Sequence, residues 1–267
     1  MNKSNFTKGS LLLKTFIGTW RRKFREYVTL CLTSGFIPKT FLPLQIIARV
    51  LARLWVFIQV GRIRVVGAEN LKTPGRVIFC PNHSAMFDAL LVYGIMKRWP
   101  RYMAAYEEMR GLGGIKAVAM GAFGCFPVDR SRGKTVLEPA IKVLMSGQPL
   151  VIFPEGRISP TGQYLPFKKG SGIIATATYE RLGMKEPVGI VPIHICYRRR
   201  DVGTAADDDF RKMGLKWRGG VTVTVGKPIY IHELPSRKPE DVMAAVKSAI
   251  ASQACPTTPG DKPEQAA

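Results

Sequence analysis

The chain is poor in acidic residues and histidine, and it lacks the paired cysteines of disulfide-rich and zinc-binding proteins. Asp and Glu together number 19 in 267 residues against 40 Lys and Arg, which gives a formal net charge of +21. The five cysteines are dispersed and form no Cys-x-x-Cys pair, so the sequence predicts neither a disulfide framework nor a zinc site. Positive charge of this size implies an anionic partner, which is nucleic acid, an anionic membrane surface or a phosphorylated ligand.

One of the three histidines lies in the run Pro81–Asp88, between a predicted strand and a predicted helix. Residues 76–80 before it are apolar and β-branched, and residues 89–96 after it have the composition of a buried helix. A carboxylate at Asp88, in the first helical turn, can hold one imidazole nitrogen of His83 and leave the other free to accept a proton. The same spacing also arises by chance, with both residues as loop or cap residues.

Three further clusters follow predicted strands or precede a predicted helix, and open α/β sheets bind ligands at such places. Arg130 follows an apolar strand, and its guanidinium could bind a phosphate in a bidentate way. Glu155 and Gly156 form a sharp turn where a ligand could approach the glycine closely. Lys168 stands just before a helix whose start favours anions. Each cluster also has a structural interpretation, respectively a solvated basic loop, an ordinary turn and a helix cap.

From residue 62 onward, short apolar runs alternate with helical segments, which predicts an α/β domain with a central, mostly parallel or mixed sheet flanked by helices. We expect a membrane-associating helical segment over 1–61, a catalytic domain over 62–253 and a disordered tail over 254–267. The predicted strands are 62–66, 76–80, 101–105, 123–128, 149–153, 188–196 and 220–226. The predicted helices lie near 85–98, 134–146, 171–182 and 239–252.

The amino-terminal segment is both strongly basic and strongly apolar. Residues 1–64 carry twelve Lys or Arg and one acid, a combination that favours a membrane over nucleic acid. The run Phe41–Val60 is long enough to span a bilayer, but Arg49 and Arg53 near its middle would each cost about 2.5–3.5 kcal/mol there. We therefore expect a helix that lies in one leaflet on the cytoplasmic face. A single span, or an amphipathic helix packed on the soluble domain, is the alternative.

Four blocks in this order resemble the glycerophospholipid acyltransferase family, in particular its lysophosphatidic acid (1-acyl-sn-glycerol-3-phosphate) acyltransferases. The blocks are His83-x4-Asp88, Gly124 to Arg130, Phe153-Pro154-Glu155-Gly156 and Ile190 to Ile193. Each is weak alone, but the ordered set is specific. The resemblance implies that His83, oriented by Asp88, takes the proton from a lysophospholipid hydroxyl that attacks an acyl thioester, either acyl-CoA or acyl-carrier protein. No metal, cofactor or acyl-enzyme is implied.

The resemblance also assigns an acceptor site. Arg130 would bind the phosphate, while Glu155 and Gly156 would shape the site and a backbone amide there would stabilise the oxyanion. We expect Arg157 and Lys168 to contribute to acceptor binding as well. The chain has Arg157 directly after the glycine, where many lysophosphatidate enzymes have threonine first, and this form is similar to enzymes that reacylate lysophosphatidylethanolamine. Lysophosphatidate is therefore the expected acceptor, and lysophosphatidylethanolamine or another lysolipid is the alternative.

Two other classes of protein make different demands on the sequence. A non-catalytic membrane lipid-binding protein with the same fold is expected to have lost His83 or Asp88, and both are present. A nucleic-acid-binding protein is expected to show a basic surface with interleaved aromatic residues, or a recognisable binding module, and the sequence shows neither.

Overall fold

The structure, a computed structural model, describes residues 3–40, 42–85, 87–129, 137–159, 163–197 and 219–253, with side chains from residue 17 onward. The chain forms two compact units. The first consists of Met1–Gln45 and Tyr102–Pro139, and the second of Ile46–Arg101 and Ala140–Ala267. Two predictions, the disordered tail over 254–267 and the position of Arg130, fall outside the described residues.

Eight helices and eight strands are found among the described residues. The α-helices are α1 (Lys3–Cys31), α2 (Leu42–Val60), α3 (Asp88–Ile95), α4 (Tyr106–Met109), α5 (Ile115–Ala122), α6 (Glu138–Met145), α7 (Gly170–Arg181) and α8 (Pro239–Ala251). The strands are β1 (Ile63–Val66), β2 (Arg76–Pro81), β3 (Arg101–Ala105), β4 (Cys125–Val128), β5 (Leu150–Val151), β6 (Val188–Tyr197), β7 (Val221–Val225) and β8 (Ile229–Tyr230).

The second unit is built on a mixed sheet with the strand order β1-β7-β6-β2-β5. The pairs β1–β7, β2–β6 and β2–β5 are parallel, whereas β6 pairs with β7 and β8 in the antiparallel sense. Every residue of β6 is buried, and the helices α7 and α8 pack on this strand; β-branched residues dominate such buried strands. The sheet flanked by helices confirms the predicted α/β class.

All seven predicted strands are present, with boundaries that differ by a few residues. The strand β8 and the helices α4 and α5 were not predicted. The helix α5 has only eight residues, Ile115–Ala122, which is shorter than the window over which a helical period can be recognised. Cys31, Cys80 and Cys125 are free thiols.

The first unit pairs β3 with β4 in the parallel sense and packs α1 against α5. Glycines make this close approach possible. A Cβ atom added at Gly121 would lie 3.0 Å from Cγ of Pro38 and 3.5 Å from Sγ of Cys31. A side chain at Gly121 would therefore require Pro38 to shift slightly, so this glycine lets α5 pack closely on Pro38 and on the end of α1.

The helix α2 shows how Arg49 is accommodated within an apolar run. It packs on the second unit through the small or branched residues Ala52, Val56 and Val60. The Arg49 guanidinium lies 3.5 Å from the centre of the Trp99 ring and donates a 2.7 Å hydrogen bond to the carbonyl of Arg98. By length and composition α2 could cross a membrane, but its inward-facing arginine is already satisfied by the protein.

Candidate active site

The pair His83 and Asp88 forms the hydrogen-bonded dyad that the sequence predicts. Nδ1 of His83 lies 3.0 Å from Oδ2 of Asp88, with His83 in the loop after β2 and Asp88 at the first position of α3. The carboxylate is fully buried, whereas the His83 side chain keeps 16% of its surface exposed. The geometry therefore fixes one imidazole nitrogen and leaves Nε2 as the proton acceptor on the accessible ring.

Asp88 is held by its own turn. Its Oδ2 atom accepts 2.7 Å hydrogen bonds from the backbone amides of Ser84 and Ala85, and its amide donates to the Ala85 carbonyl at 3.1 Å. The other oxygen, Oδ1, accepts a 2.5 Å hydrogen bond from the hydroxyl of Tyr197, which is buried at the end of β6. Both carboxylate oxygens therefore have fixed partners, and the carboxylate cannot rotate freely.

Glu155 connects the histidine loop to the segment before α7. Its Oε1 atom accepts a 2.8 Å hydrogen bond from the amide of His83, and its Oε2 atom accepts a 2.9 Å bond from the amide of Leu165. Glu155 is only 3% exposed. Burial raises the pKa of this carboxyl above its ordinary value, while the two amide donors act in the opposite direction. These contacts make Glu155 an anchor of the loop that carries His83.

The backbone of His83 is held on both sides. Besides its amide, its carbonyl accepts a 2.8 Å hydrogen bond from the amide of Ser159. Asn82 fixes the preceding residue, because its side chain donates to the Ile195 carbonyl at 3.1 Å and accepts from the Ile195 amide at 2.6 Å. The ring of Phe153 lies 4.2 Å from the imidazole, centre to centre. The position of the histidine is thus determined by three chain segments.

Gly156 and Lys168 lie against each other. Gly156 has φ +71°, and a Cβ atom there would lie 2.7 Å from Nζ of Lys168. The amide of Lys168 donates to the Pro154 carbonyl at 2.8 Å, which ties this segment to the turn. The amide of Gly156 donates to the Phe153 carbonyl at 3.0 Å. That amide is therefore occupied within the turn, and an oxyanion donor in this loop must be another group.

The remaining predicted residues are placed less tightly. Arg157 is exposed directly after the turn, where its guanidinium can reach a ligand without being held by the protein. Arg130 lies outside the described residues. Ser84 is buried, and among the described residues its hydroxyl has no hydrogen-bond partner, so nothing activates it as a nucleophile. The described residues contain no group of three His, Cys, Asp or Glu side chains able to hold a metal ion.

Two contributors were missed by the reasoning from sequence. Asn82 lay in the run Pro81–Asp88 without a role, and Tyr197 lay four residues beyond the last block. Strand alternation offered a signal, because Ile193, Ile195 and Tyr197 share one face of β6. A phenol at the end of a buried apolar strand requires a hydrogen-bond partner, and that partner is Asp88.

Comparison with known proteins places this geometry in a family. A 1-acyl-sn-glycerol-3-phosphate acyltransferase of Chlamydomonas reinhardtii is 24% identical over 77% of this chain and 57% of its own length. A chloroplastic enzyme of the same name from Brassica napus is 26% identical over 67% of this chain and 49% of its own length. The chain therefore spans about half the length of these curated relatives. A lyso-ornithine lipid O-acyltransferase of Brucella abortus is 29% identical over 73% of this chain and 68% of its own.

The fold has a solved counterpart. The crystal structure of the 1-acyl-sn-glycerophosphate acyltransferase PlsC from Thermotoga maritima aligns with a TM-score of 0.57 and 23% identity, covering 92% of this chain and 86% of that chain. At this identity the match establishes the fold. The family model described as Acyltransferase matches residues 62–196, a segment that includes the dyad, Glu155, Gly156 and Lys168. On this match, which covers half of its length, the chain belongs to the Acyltransferase family.

Proposed function

We propose that the protein transfers a fatty acyl group from an acyl thioester to the free hydroxyl of a lysophospholipid, with His83 as general base and lysophosphatidate as the preferred acceptor. The observation that carries this proposal is the 3.0 Å contact between Nδ1 of His83 and the buried carboxylate of Asp88. Such a pair needs a substrate that brings both the nucleophile and the electrophile, because the residues that the structure describes offer no activated nucleophile beside it.

The reaction follows from the order of proton transfers. Nε2 of His83 takes the proton from the lysolipid hydroxyl as its oxygen attacks the thioester carbonyl carbon, and Asp88 stabilises the imidazolium that forms. The tetrahedral intermediate then collapses, the carbon–sulfur bond breaks, and the imidazolium returns the proton to the departing thiolate. An ester and a free thiol result, and the histidine is restored. Either acyl-CoA or acyl-carrier protein satisfies this chemistry as the donor.

The acceptor phosphate has cationic partners at the turn. Nζ of Lys168 lies against Gly156, and Arg157 is exposed next to it, so both cations border the loop that holds His83. The glycerol hydroxyl is only a few covalent bonds from such a phosphate, so a phosphate monoester bound there would bring the hydroxyl toward the imidazole of His83. Arg130, whose role rests on the family resemblance, would supply a bidentate contact.

The surface of the second unit supports a reaction that takes place at a bilayer. The helix α2 exposes a row of large apolar side chains, which include Ile47, Val50, Leu51, Leu54 and Phe57 at 52–62% exposure. An apolar surface of this kind on a basic chain fits an anionic leaflet on the cytoplasmic face. Lysophospholipid resides in that leaflet, so the acceptor would reach the dyad without crossing water.

The test is turnover by purified protein in detergent or liposomes. We expect His83→Ala to lower kcat by about 10²- to 10⁴-fold and Asp88→Asn to lower it nearly as much. His232→Ala is the matched control, because His232 is also near a carboxylate, with Nε2 3.8 Å from Glu233, but is 41% exposed and belongs to the 3₁₀ turn after β8. If folded His83→Ala protein kept its rate, the assigned base would be wrong.

The acceptor is identified with a panel of lysolipids offered with both donors. We expect lysophosphatidate to be acylated faster than lysophosphatidylethanolamine, because a phosphate monoester carries more negative charge toward Lys168 and Arg157. The relative from Brucella abortus carries the name of a lyso-ornithine lipid enzyme, so the panel includes that acceptor. Faster turnover of either alternative would reassign the head group while leaving the reaction class in place.

A further inference from the structure

The loop Gly111–Ile115 of the first unit presents two large apolar side chains to solvent. Leu112 is 76% exposed and is the most exposed large apolar residue in the part of the chain that the structure describes, and Ile115 is 61% exposed. No role in the acyl transfer proposed above requires them. Apolar side chains exposed together at a loop mark a contact surface.

The backbone conformation at Leu112 adds a second energetic cost to that of its exposure. Leu112 adopts φ +49°, a left-handed conformation that a leucine rarely takes. Its neighbours Gly111 and Gly114 also have positive φ, and as glycines they adopt it without strain. A leucine at this position is thus strained and exposes apolar surface to water, and asparagine would reduce both costs. A partner that removes Leu112 from water compensates for both.

The loop is fixed on α1 and continues an apolar face of that helix. A Cβ atom added at Gly114 would lie 2.4 Å from a methyl group of Val28, so the loop backbone packs directly on α1. Phe24 is one turn away on the same helical face, and its ring stacks on Trp20 at 5.5 Å. Trp20 is 59% exposed and Ile17, on the same face, 40%. The apolar surface therefore runs from the loop along α1.

The charges around this surface identify its partner. The helix α1 carries seven Lys or Arg and one acid in 29 residues. Beside the loop, Glu108 pairs with Lys116 at 3.9 Å, and Arg110 lies over the Tyr106 ring at 5.6 Å. An apolar strip with exposed tryptophan and a basic border has the composition of a helix that binds an anionic bilayer interface.

We propose that the loop Gly111–Ile115 inserts Leu112 and Ile115 into an anionic leaflet, beside the exposed apolar face of α1. This inference rests on the membrane location proposed above, but it concerns residues that take no part in catalysis. It gives the first unit its own attachment to the bilayer, in addition to the apolar surface of α2 on the second unit. The partner is the lipid itself rather than a protein.

The test uses Leu112→Asn, because asparagine tolerates the left-handed conformation better than leucine. The full-length protein is mixed with vesicles of equal parts phosphatidylglycerol and phosphatidylcholine, and the bound fraction is measured by flotation. We expect affinity to fall about fivefold or more as the apolar side chain is lost, while the thermal midpoint stays the same or rises. A merely structural role for the leucine would lower both.

Met184 provides a matched control in the second unit. It also has a left-handed backbone, with φ +58°, and its side chain is 53% exposed. Met184→Asn therefore makes the same exchange of an exposed, strained apolar residue for asparagine. We expect this variant to bind the vesicles as the unchanged protein does.

Three results would overturn the proposal. They are unchanged vesicle affinity of Leu112→Asn, an equal loss in Met184→Asn, and a change in oligomeric state of Leu112→Asn without a change in vesicle affinity. Flotation requires no turnover, and acylation of detergent-dispersed acceptor by Leu112→Asn should match the unchanged protein. If the unchanged protein acylates no lysolipid but Leu112→Asn still loses vesicle binding, the proposed function is wrong and this inference stands.

Discussion

The two oxygens of the Asp88 carboxylate have separate partners. Oδ2 is shared by the imidazole of His83 and two backbone amides, and Oδ1 accepts from the phenol of Tyr197. A carboxylate with one free oxygen could rotate and release the imidazole. Tyr197 therefore acts as a positioning residue for the dyad, through Asp88 and without reaching the imidazole itself.

The substitution Tyr197→Phe isolates this contact. The phenyl ring can keep the edge-to-face packing on Phe87, whose centroid lies 5.6 Å away, while the hydroxyl is lost. A hydrogen bond to a charged group contributes about 1.5–3 kcal/mol, so we expect kcat to fall about tenfold with KM for the acceptor nearly unchanged. Steady-state kinetics at saturating donor measure both. An unchanged kcat would remove Tyr197 from the dyad.

Glu155 is expected to make stability depend on pH. Because burial raises its pKa in the folded protein above the ordinary 4.5, the folded state binds its proton more tightly than the unfolded state. The associated stabilisation is complete below pH 4.5 and is lost as the pH rises through the raised pKa. Glu155→Gln cannot ionise, so the free energy of unfolding of the unchanged protein should decline relative to this variant across that window.

Denaturant unfolding of both proteins at several pH values measures the difference. Glutamine offers one acceptor oxygen where the amides of His83 and Leu165 require two, so we also expect about tenfold lower activity in Glu155→Gln at every pH. A stability difference that stayed constant with pH would contradict the raised pKa of Glu155.

At the scale of elements, the active site depends on how β2 ends beside β6. Strand pairing sets Pro81 opposite Ile193, and the Asn82 side chain then extends the ladder by bonding both backbone groups of Ile195. The loop that carries His83 therefore leaves the sheet at a fixed point. The same register brings Tyr197, two residues beyond Ile195, to Asp88.

We expect Asn82→Asp to destabilise the protein by about 2–4 kcal/mol, because a buried carboxylate cannot donate to the Ile195 carbonyl. Activity should fall with the loss of loop position. Asn70→Asp is the control, since Asn70 also donates to a strand carbonyl, that of Val225 at 3.1 Å, but belongs to the 3₁₀ turn before β2 and not to the histidine loop. It should cost about 1 kcal/mol with kcat retained, and similar kcat in both variants would contradict the role of Asn82.

The elements could be predicted where a local pattern determines them. The apolar run of β2 and the five-residue separation of His83 and Asp88 are local, so both the strand and the dyad were predictable. The partners of Glu155 were not, because a carboxylate in a turn bonds whichever amides the fold brings to it. Tyr197 is joined to Asp88 across 109 residues by strand register, which no short pattern records.

At the scale of the molecule, charge and apolar surface act together. The sequence predicted a basic, apolar amino-terminal segment, and the structure assigns its parts to different roles. Arg49 is bound within the second unit, whereas the apolar residues of α2 stay exposed. The contact that holds Arg49 depends on Trp99, which lies 50 residues away in the sequence and could not be inferred.

The net charge of +21 should make membrane binding depend on salt. The Debye length falls from about 10 Å at 0.1 M salt to about 3 Å at 1 M salt. We therefore expect binding to phosphatidylglycerol vesicles to weaken at least tenfold between these concentrations. Binding to pure phosphatidylcholine vesicles should change little. Equal salt dependence on both lipids, measured by flotation, would assign the attachment to apolar contacts alone.

The turn from His83 to Asp88 closes on itself through the hydrogen bonds between the Asp88 carboxylate and the amides of Ser84 and Ala85. A ring of this size admits no insertion or deletion, since one added residue would carry the carboxylate away from both amides. The interval between acid and base is therefore a fixed length of backbone.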